Sequence, residues 1–65
     1  MSFNELIKTL RKHGYRLDRE KGAVRFYRRP TDGREVRVDY HGAKEVANGT
    51  ARAILKQAGI DPRNP

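Results

Sequence analysis

Residues 15–40 read YRLDREKGAVRFYRRPTDGREVRVDY, and this stretch decides the fold. Apolar or aromatic residues alternate with charged residues in three short runs, which is the period of a strand with one buried face. Lys21-Gly22 separates the first run from the second, and Thr31-Asp32-Gly33 separates the second from the third. Residues of these types favour tight turns. The stretch therefore predicts an antiparallel meander of three strands.

An amphipathic helix is predicted before the meander, over residues 2–13. Ser2 and Glu5 have the spacing of a capping box. Gly14 stands where a helix commonly ends in a left-handed residue. The apolar residues between these signals follow the i, i+3, i+4, i+7 spacing of one buried helical stripe: Phe3, Leu6, Ile7 and Leu10.

A second helix is predicted after the meander, beginning at Asn48-Gly49-Thr50 with either Asn48 or Thr50 as its cap. Gly59 and Pro62 are its stop signals. The chain is thus predicted to be an α+β protein of order α-β-β-β-α, a three-stranded antiparallel sheet with two helices on one face. We expect one domain over residues 1–61 and a frayed tail over residues 62–65.

The charge balance points to a polyanionic partner. Of 65 residues, 15 are Lys or Arg and 8 are Asp or Glu, which gives a formal net charge of +7. Such a field attracts nucleic acid, an anionic membrane or an acidic protein. A solvated surface without a partner is the alternative, but the cations cluster and arginine predominates, which favours phosphate binding. We expect no membrane partner, because both amphipathic helices are needed to cover the sheet.

Several kinds of site are not indicated by the sequence. It has no cysteine, so it forms no disulfides or thiolate metal sites. Its carboxylates are scattered among arginines, so we expect no metal and no cofactor. No apolar run is long enough for a signal peptide or a membrane span. We therefore expect a cytoplasmic protein.

The second strand can present either of its faces to the helices. Tyr27 shares one face with Arg25 and Arg29, and if that face is open the tyrosine could stack a base. Alternatively, Tyr27 packs under the helices and Val24 and Phe26 face solvent. Because an exposed Val-Phe pair is unusual in a monomer, we expect Val24 and Phe26 to point inward or to be covered by a partner.

Two segments carry a resemblance to a known family. ELIKTLRKHGYRLDREKG (residues 5–22) and DYHGAKEVANGTARAILKQAGI (residues 39–60) resemble the HicA toxins, small bacterial messenger-RNA interferases of type II toxin–antitoxin pairs. The resemblance runs from about residue 4 to residue 60. It implies a fold like that of double-stranded RNA-binding domains, metal-independent cleavage through the RNA 2′-hydroxyl, and a HicB-like antitoxin as partner. Family members usually have proline where this chain has Ala47.

The chain departs from the family at the residue that carries catalysis. HicA-like sequences typically have Gly-Ser-His entering the second strand, with the histidine catalytic. Gly22 matches the glycine, Ala23 stands for the serine and Val24 occupies the histidine position. Valine transfers no proton, and loss of general acid–base help typically costs about 10²–10⁴-fold in rate. His41 is the candidate replacement if the fold brings it near residues 21–25, although we favour a local role in which it caps the strand or contacts the loop.

The candidate RNA-binding residues combine the cationic cluster, the turn before the second strand and the start of the last helix, where free backbone N–H groups can hold phosphate. They are Lys21, Gly22, Arg25, Tyr27, Arg28, Arg29, Lys44, Gly49, Thr50, Arg52 and Lys56. Three functions follow from these observations. The chain is an RNA-cleaving toxin, a module that binds RNA or antitoxin without cutting, or a purely protein-binding partner of its antitoxin.

Overall fold

A computed structural model of the chain describes residues 1–64. Two helices flank three consecutive strands: α1 (Phe3–Lys12), β1 (Arg16–Lys21), β2 (Val24–Arg29), β3 (Arg34–Asp39) and α2 (Asn48–Gln57). The predicted order α-β-β-β-α and the α+β class are confirmed. Neither helix is long and apolar enough to cross a membrane.

The strands form one antiparallel sheet in the order β1-β2-β3. Phe26 of β2 stands opposite Arg19 on one side and Arg37 on the other. The register of β1 shifts between Leu17 and Arg19, as in a β-bulge. All six residues of β1 are exposed. Leu17 pairs with buried Tyr27 yet remains 44% exposed, so β1 adds little to the core.

The core lies between the two helices and one face of the sheet, called here the inner face. β2 and β3 contribute Tyr27, Val36 and Val38, each at most 1% exposed. They belong to the same cluster as the buried residues of both helices, with Tyr15 and Val46 from the connecting segments. Because side chains alternate along a strand, the neighbours of these residues lie on the opposite side, called here the outer face.

The capping box predicted for α1 is present. The Glu5 N–H donates to Ser2 Oγ at 3.1 Å, and the Ser2 N–H donates to Glu5 Oε1 at 2.8 Å. The bond from the Ser2 backbone lowers the pKa of Glu5 below its usual value. At the other end Gly14 follows the C-cap residue His13 with φ of 90°, a left-handed conformation that glycine adopts without strain.

The start of α2 differs from its prediction. Ala47 is the N-cap residue, with φ of −57° and ψ of 138°, and it makes no side-chain capping bond. The prediction that Asn48 or Thr50 caps the helix was wrong, because both lie inside its first turn. The predicted stop is correct, since Gly59 follows the C-cap residue Ala58 with φ of 73°.

The connection from β3 to α2 is attached to the start of α1. The Phe3 N–H donates to Lys44 O and the Asn4 N–H donates to Gly42 O, both at 3.0 Å. The Met1 ammonium forms an ion pair with Glu45 at 2.8 Å. The residues after α2 include a turn in which the Asn64 N–H bonds to Asp61 O at 3.0 Å. The frayed tail over residues 62–65 stays a prediction, and residue 65 lies outside the described residues.

Candidate nucleic-acid interface

The orientation of β2 is the reverse of the predicted one. Tyr27 is 1% exposed on the inner face, whereas Val24 and Phe26 are only partly buried on the outer face. Tyr27 can enter the core because its hydroxyl accepts a hydrogen bond from Arg25 Nη1 at 3.2 Å. Val24 and Phe26 do not point inward, and the alternative, that a partner covers them, stays a prediction. Tyr27 has no exposed ring face on which a base could stack, so we no longer count it among the candidate RNA-binding residues.

Val24 and Phe26 form the centre of what we call the outer-face patch, together with Arg19, Lys21 and Arg37. Lys21 pairs with Val24 across the β1–β2 ladder, and Arg37 pairs with Phe26 across the β2–β3 ladder. A depression of about 270 Å³ lies among Lys21, Val24, Phe26 and Arg37. The patch therefore places apolar surface between cationic side chains, as RNA-binding surfaces commonly do.

The outer face carries more cations than carboxylates, since Glu35 and Asp39 lie there by the same alternation. Period two along the strands puts five cations there, all exposed: Arg16, Arg19, Lys21, Arg28 and Arg37. Within residues 1–64, only Arg19 of these five has a carboxylate oxygen within 4.0 Å, from Asp18 at 3.0 Å and Glu35 at 3.3 Å. The other four are free to bind phosphate oxygens. Arg16, Arg19 and Arg37 are absent from the candidate list, and period two would have found them once Tyr27 was placed inside.

His41 lies at the same end of the sheet as Val24. Val24 pairs with Asp39, and the Tyr40 N–H donates to Ala23 O at 2.9 Å. The His41 Nε2 atom is 3.8 Å from Asp39 Oδ1, and its ring meets the Phe3 ring edge-on at a centroid distance of 5.2 Å. These contacts agree with the local role that we favoured. They also place an imidazole beside a carboxylate at the strand end that holds Val24.

The Arg25 side chain lies on the inner face, where other residues of the protein already contact it. Its guanidinium lies over the Tyr40 ring, bonds to the Tyr27 hydroxyl and lies 3.6 Å from Glu20. The Tyr40 hydroxyl in turn donates to Asn4 Oδ1 at the start of α1. The side chain of Arg25 thus links β2 to Glu20 of β1 and to Tyr40, the residue after β3, and through Tyr40 to α1. Because these contacts occupy its guanidinium, Arg25 has a structural role rather than that of a free phosphate ligand.

Arg29 is occupied at the opposite end of the sheet. It forms an ion pair with Asp32 at 2.7 Å, donates to His13 O at 3.4 Å and lies over the Tyr15 ring. The bond to Arg29 lowers the pKa of Asp32 to about 2. Arg29 therefore joins the second turn of the meander to the end of α1 and is not part of the outer face.

The remaining candidates fall into separate groups. Arg28 lies on the outer face, and Lys21-Gly22 lies where β1 turns into β2. Lys44 is in the loop beside the start of α1. The last group is exposed on α2, in the helix layer on the other side of the sheet: Gly49, Thr50, Arg52 and Lys56. The candidate residues therefore lie on both sides of the sheet.

Within residues 1–64, no group of three or more His, Asp or Glu side chains is arranged to hold a metal ion. A comparison with curated proteins finds no match to the chain. A family model described as the HicA toxin of bacterial toxin–antitoxin matches residues 3–60, which include both helices and the whole sheet. The chain therefore belongs to the HicA toxin family of bacterial toxin–antitoxin systems.

Proposed function

We propose that this toxin-family protein binds RNA through the outer face of its sheet and is neutralised by a HicB-like antitoxin that covers the same surface. The observation that carries the proposal is the set of five exposed outer-face cations, four of them without a carboxylate partner in residues 1–64. Guanidinium and ammonium groups bind phosphate through charge-assisted hydrogen bonds. Neutralising several phosphates releases counterions, which supplies most of the affinity at low salt.

The protein holds RNA without cutting it efficiently. Cleavage through the 2′-hydroxyl needs a group that accepts a proton and a group that donates one. Position 24 supplies neither, and its cross-strand neighbours are the Lys21 ammonium and the Asp39 carboxylate. A growth-inhibiting effect of this protein would then come from occupying RNA or from competing for antitoxin.

The second candidate is a metal-independent ribonuclease that uses His41. It is favoured by one contact, the 3.8 Å approach of His41 Nε2 to Asp39 Oδ1 at the strand end beside Val24. A carboxylate next to an imidazole stabilises the protonated ring that forms during proton transfer.

The antitoxin partner is expected to bring acidic side chains to the outer face. The same five cations that attract phosphate attract carboxylates, and pairing would also stabilise a small domain by mass action. RNA and antitoxin would then compete for one surface. In this arrangement the antitoxin prevents RNA binding whether or not the protein cleaves RNA.

A binding assay with matched charge reversals tests the proposed surface. Arg28→Glu with Arg37→Glu on the outer face is compared with Arg52→Glu and Lys56→Glu in the helix layer, because both pairs change the net charge equally. The outer-face pair should abolish the shift of labelled single-stranded RNA on a native gel, and the helix-layer pair should weaken it only slightly. The opposite result would place the interface on α2.

Incubation of the wild-type protein with the same RNA in EDTA separates the two candidate functions. Intact RNA on a denaturing gel, together with a shifted band on the native gel, supports a binder. Cuts that leave cyclic phosphate or 3′-phosphate ends support the ribonuclease, and His41→Asn should then abolish them.

A further inference from the structure

Arg19 covers the ring of Phe26 on the outer face. Its Cζ atom is 4.1 Å from the ring centroid, within the range of a cation–π contact. The guanidinium is held there by carboxylates on two strands: Nη1 donates to Asp18 Oδ2 at 3.0 Å, and Nη2 donates to Glu35 Oε1 at 3.3 Å. The cation over the ring is thus already neutralised by the protein itself.

Phe26 has no role in the core that would explain its position. The core lies on the inner face, and Phe26 does not belong to the buried cluster. Its cross-strand neighbours, Arg19 and Arg37, are both exposed cations. A partly exposed phenylalanine between two arginines, beside a depression of about 270 Å³, offers a flat π surface to a ligand that also carries negative charge.

An unpaired nucleotide combines these two properties. Its base stacks on aromatic rings, and its phosphate binds guanidinium groups. A base within a duplex has both of its faces covered by neighbouring bases, so a ring of this kind selects unpaired nucleotides.

We propose that Phe26 is a stacking platform for one unpaired base, and that Arg19 covers this platform in the free protein. This inference rests on the proposed RNA binding by the outer face. When a base stacks on Phe26 it replaces the Arg19 guanidinium, which then leaves Glu35 and binds a flanking phosphate. No covalent bond is made or broken in the exchange, and the contact of Arg19 with Glu35 is replaced by its contact with the phosphate.

The roles of the two residues are separable by substitution. Phe26→Leu removes the π surface and keeps an apolar side chain, whereas Phe26→Trp keeps and enlarges the π surface. Glu35→Gln weakens the hold on Arg19 in the free protein, so Arg19 leaves the ring more easily. Because Phe26 and Glu35 both lie outside the core, the melting temperature of these variants should stay within a few degrees of wild type.

Fluorescence anisotropy with a labelled single-stranded RNA measures the effect. Phe26→Leu should weaken binding at least about fivefold, the ratio expected for losing one stacked base. Phe26→Trp should bind at least as tightly as wild type, and Glu35→Gln should bind more tightly. Inorganic polyphosphate has no bases, so its dissociation constant should be the same for wild type and for Phe26→Leu.

The outcomes distinguish this inference from the proposed function. If wild type binds RNA and Phe26→Leu binds it equally well, the stacking platform is overturned and RNA binding by the outer face stands. If wild type binds neither RNA nor polyphosphate, the proposed function fails and the platform fails with it. A Phe26→Leu loss that appears equally with polyphosphate would also overturn the platform, since a base-free polymer cannot report stacking.

Discussion

The guanidinium of Arg25 lies 3.8 Å from the ring centroid of Tyr40, with a hydrogen bond to the Tyr27 hydroxyl. Tyr27 in β2 and Tyr40, the residue after β3, thus share one cation at the edge of the core. By contrast, Arg28, three residues later, is exposed and without an ion pair in residues 1–64. Arg25 therefore has a structural role and Arg28 is available to bind a ligand, although both were predicted from the sequence to bind RNA.

Charge reversal separates these tasks. Arg25→Glu should reduce the free energy of unfolding by about 1 kcal/mol or more, because it removes a cation–π contact and a hydrogen bond beside Glu20. Arg28→Glu should leave stability within about 0.5 kcal/mol of wild type and weaken RNA binding. Urea unfolding and gel shifts on both variants test this. Equal destabilisation by the two substitutions would contradict the structural role of Arg25.

Introducing an imidazole at position 24 should create cleavage. Val24→His places the ring between Lys21 and Asp39 on the outer face, and acid–base help should raise the cleavage rate by about 10²-fold or more. The RNA assay in EDTA measures the rate, and Val24→Asn is the matched control because its amide is polar but transfers no proton. If the two variants cleave equally slowly, the site lacks more than the histidine.

The turn between β2 and β3 should retain its ion pair far into acid. The pKa of Asp32 is lowered from 3.8 to about 2 by its bond to Arg29, so the folded protein keeps this carboxylate charged where the unfolded chain protonates it. The stabilisation is fully present above about pH 4 and is lost as the pH falls towards 2. Asp32→Asn should lower the melting temperature at neutral pH, and its difference from wild type should shrink only below pH 4.

Asp61→Asn is the control for that measurement. Asp61 also pairs with a nearby arginine, but the side chain of that partner, Arg63, is 88% exposed. Its substitution should change the melting temperature little at any pH. A constant difference between Asp32→Asn and wild type down to pH 2 would contradict the role given to the Asp32 carboxylate.

The uncapped start of α2 offers a stabilising substitution. Ala47 has the extended ψ of an N-cap residue but no side-chain acceptor for the free N–H groups of the first turn. Ala47→Ser should increase the free energy of unfolding by about 1 kcal/mol. The same change at exposed Ala53, in the middle of the helix, should be slightly destabilising because serine is the weaker helix former. No gain at position 47 would show that water satisfies those groups equally well.

The sequence predicts best where the signals are local. The capping box of Ser2 and Glu5 and the glycines after each helix depend on neighbouring residues, so α1 and both helix ends were predicted correctly. The start of α2 was misplaced because Asn48 and Thr50, both good capping residues, stand one and three positions after the residue that has cap geometry.

The face of β2 was not predictable in the same way. Both of its faces carry an aromatic residue, so alternation alone does not say whether Phe26 or Tyr27 enters the core. The register does, because Tyr27 stands opposite Val36 and Phe26 stands opposite Arg37. This choice depends on the neighbouring strand. It also decides the candidate site, since the residues next to Phe26 become the accessible ones.

The free edge of β1 bears on how copies of this molecule meet one another. The strand has an unpaired row of backbone groups, five charged side chains among six exposed residues, and a register shift near its middle. Charges and bulges on an edge strand oppose the addition of a further strand. The strand that contributes least to the core therefore opposes the addition of a strand from another copy at its own edge of the sheet.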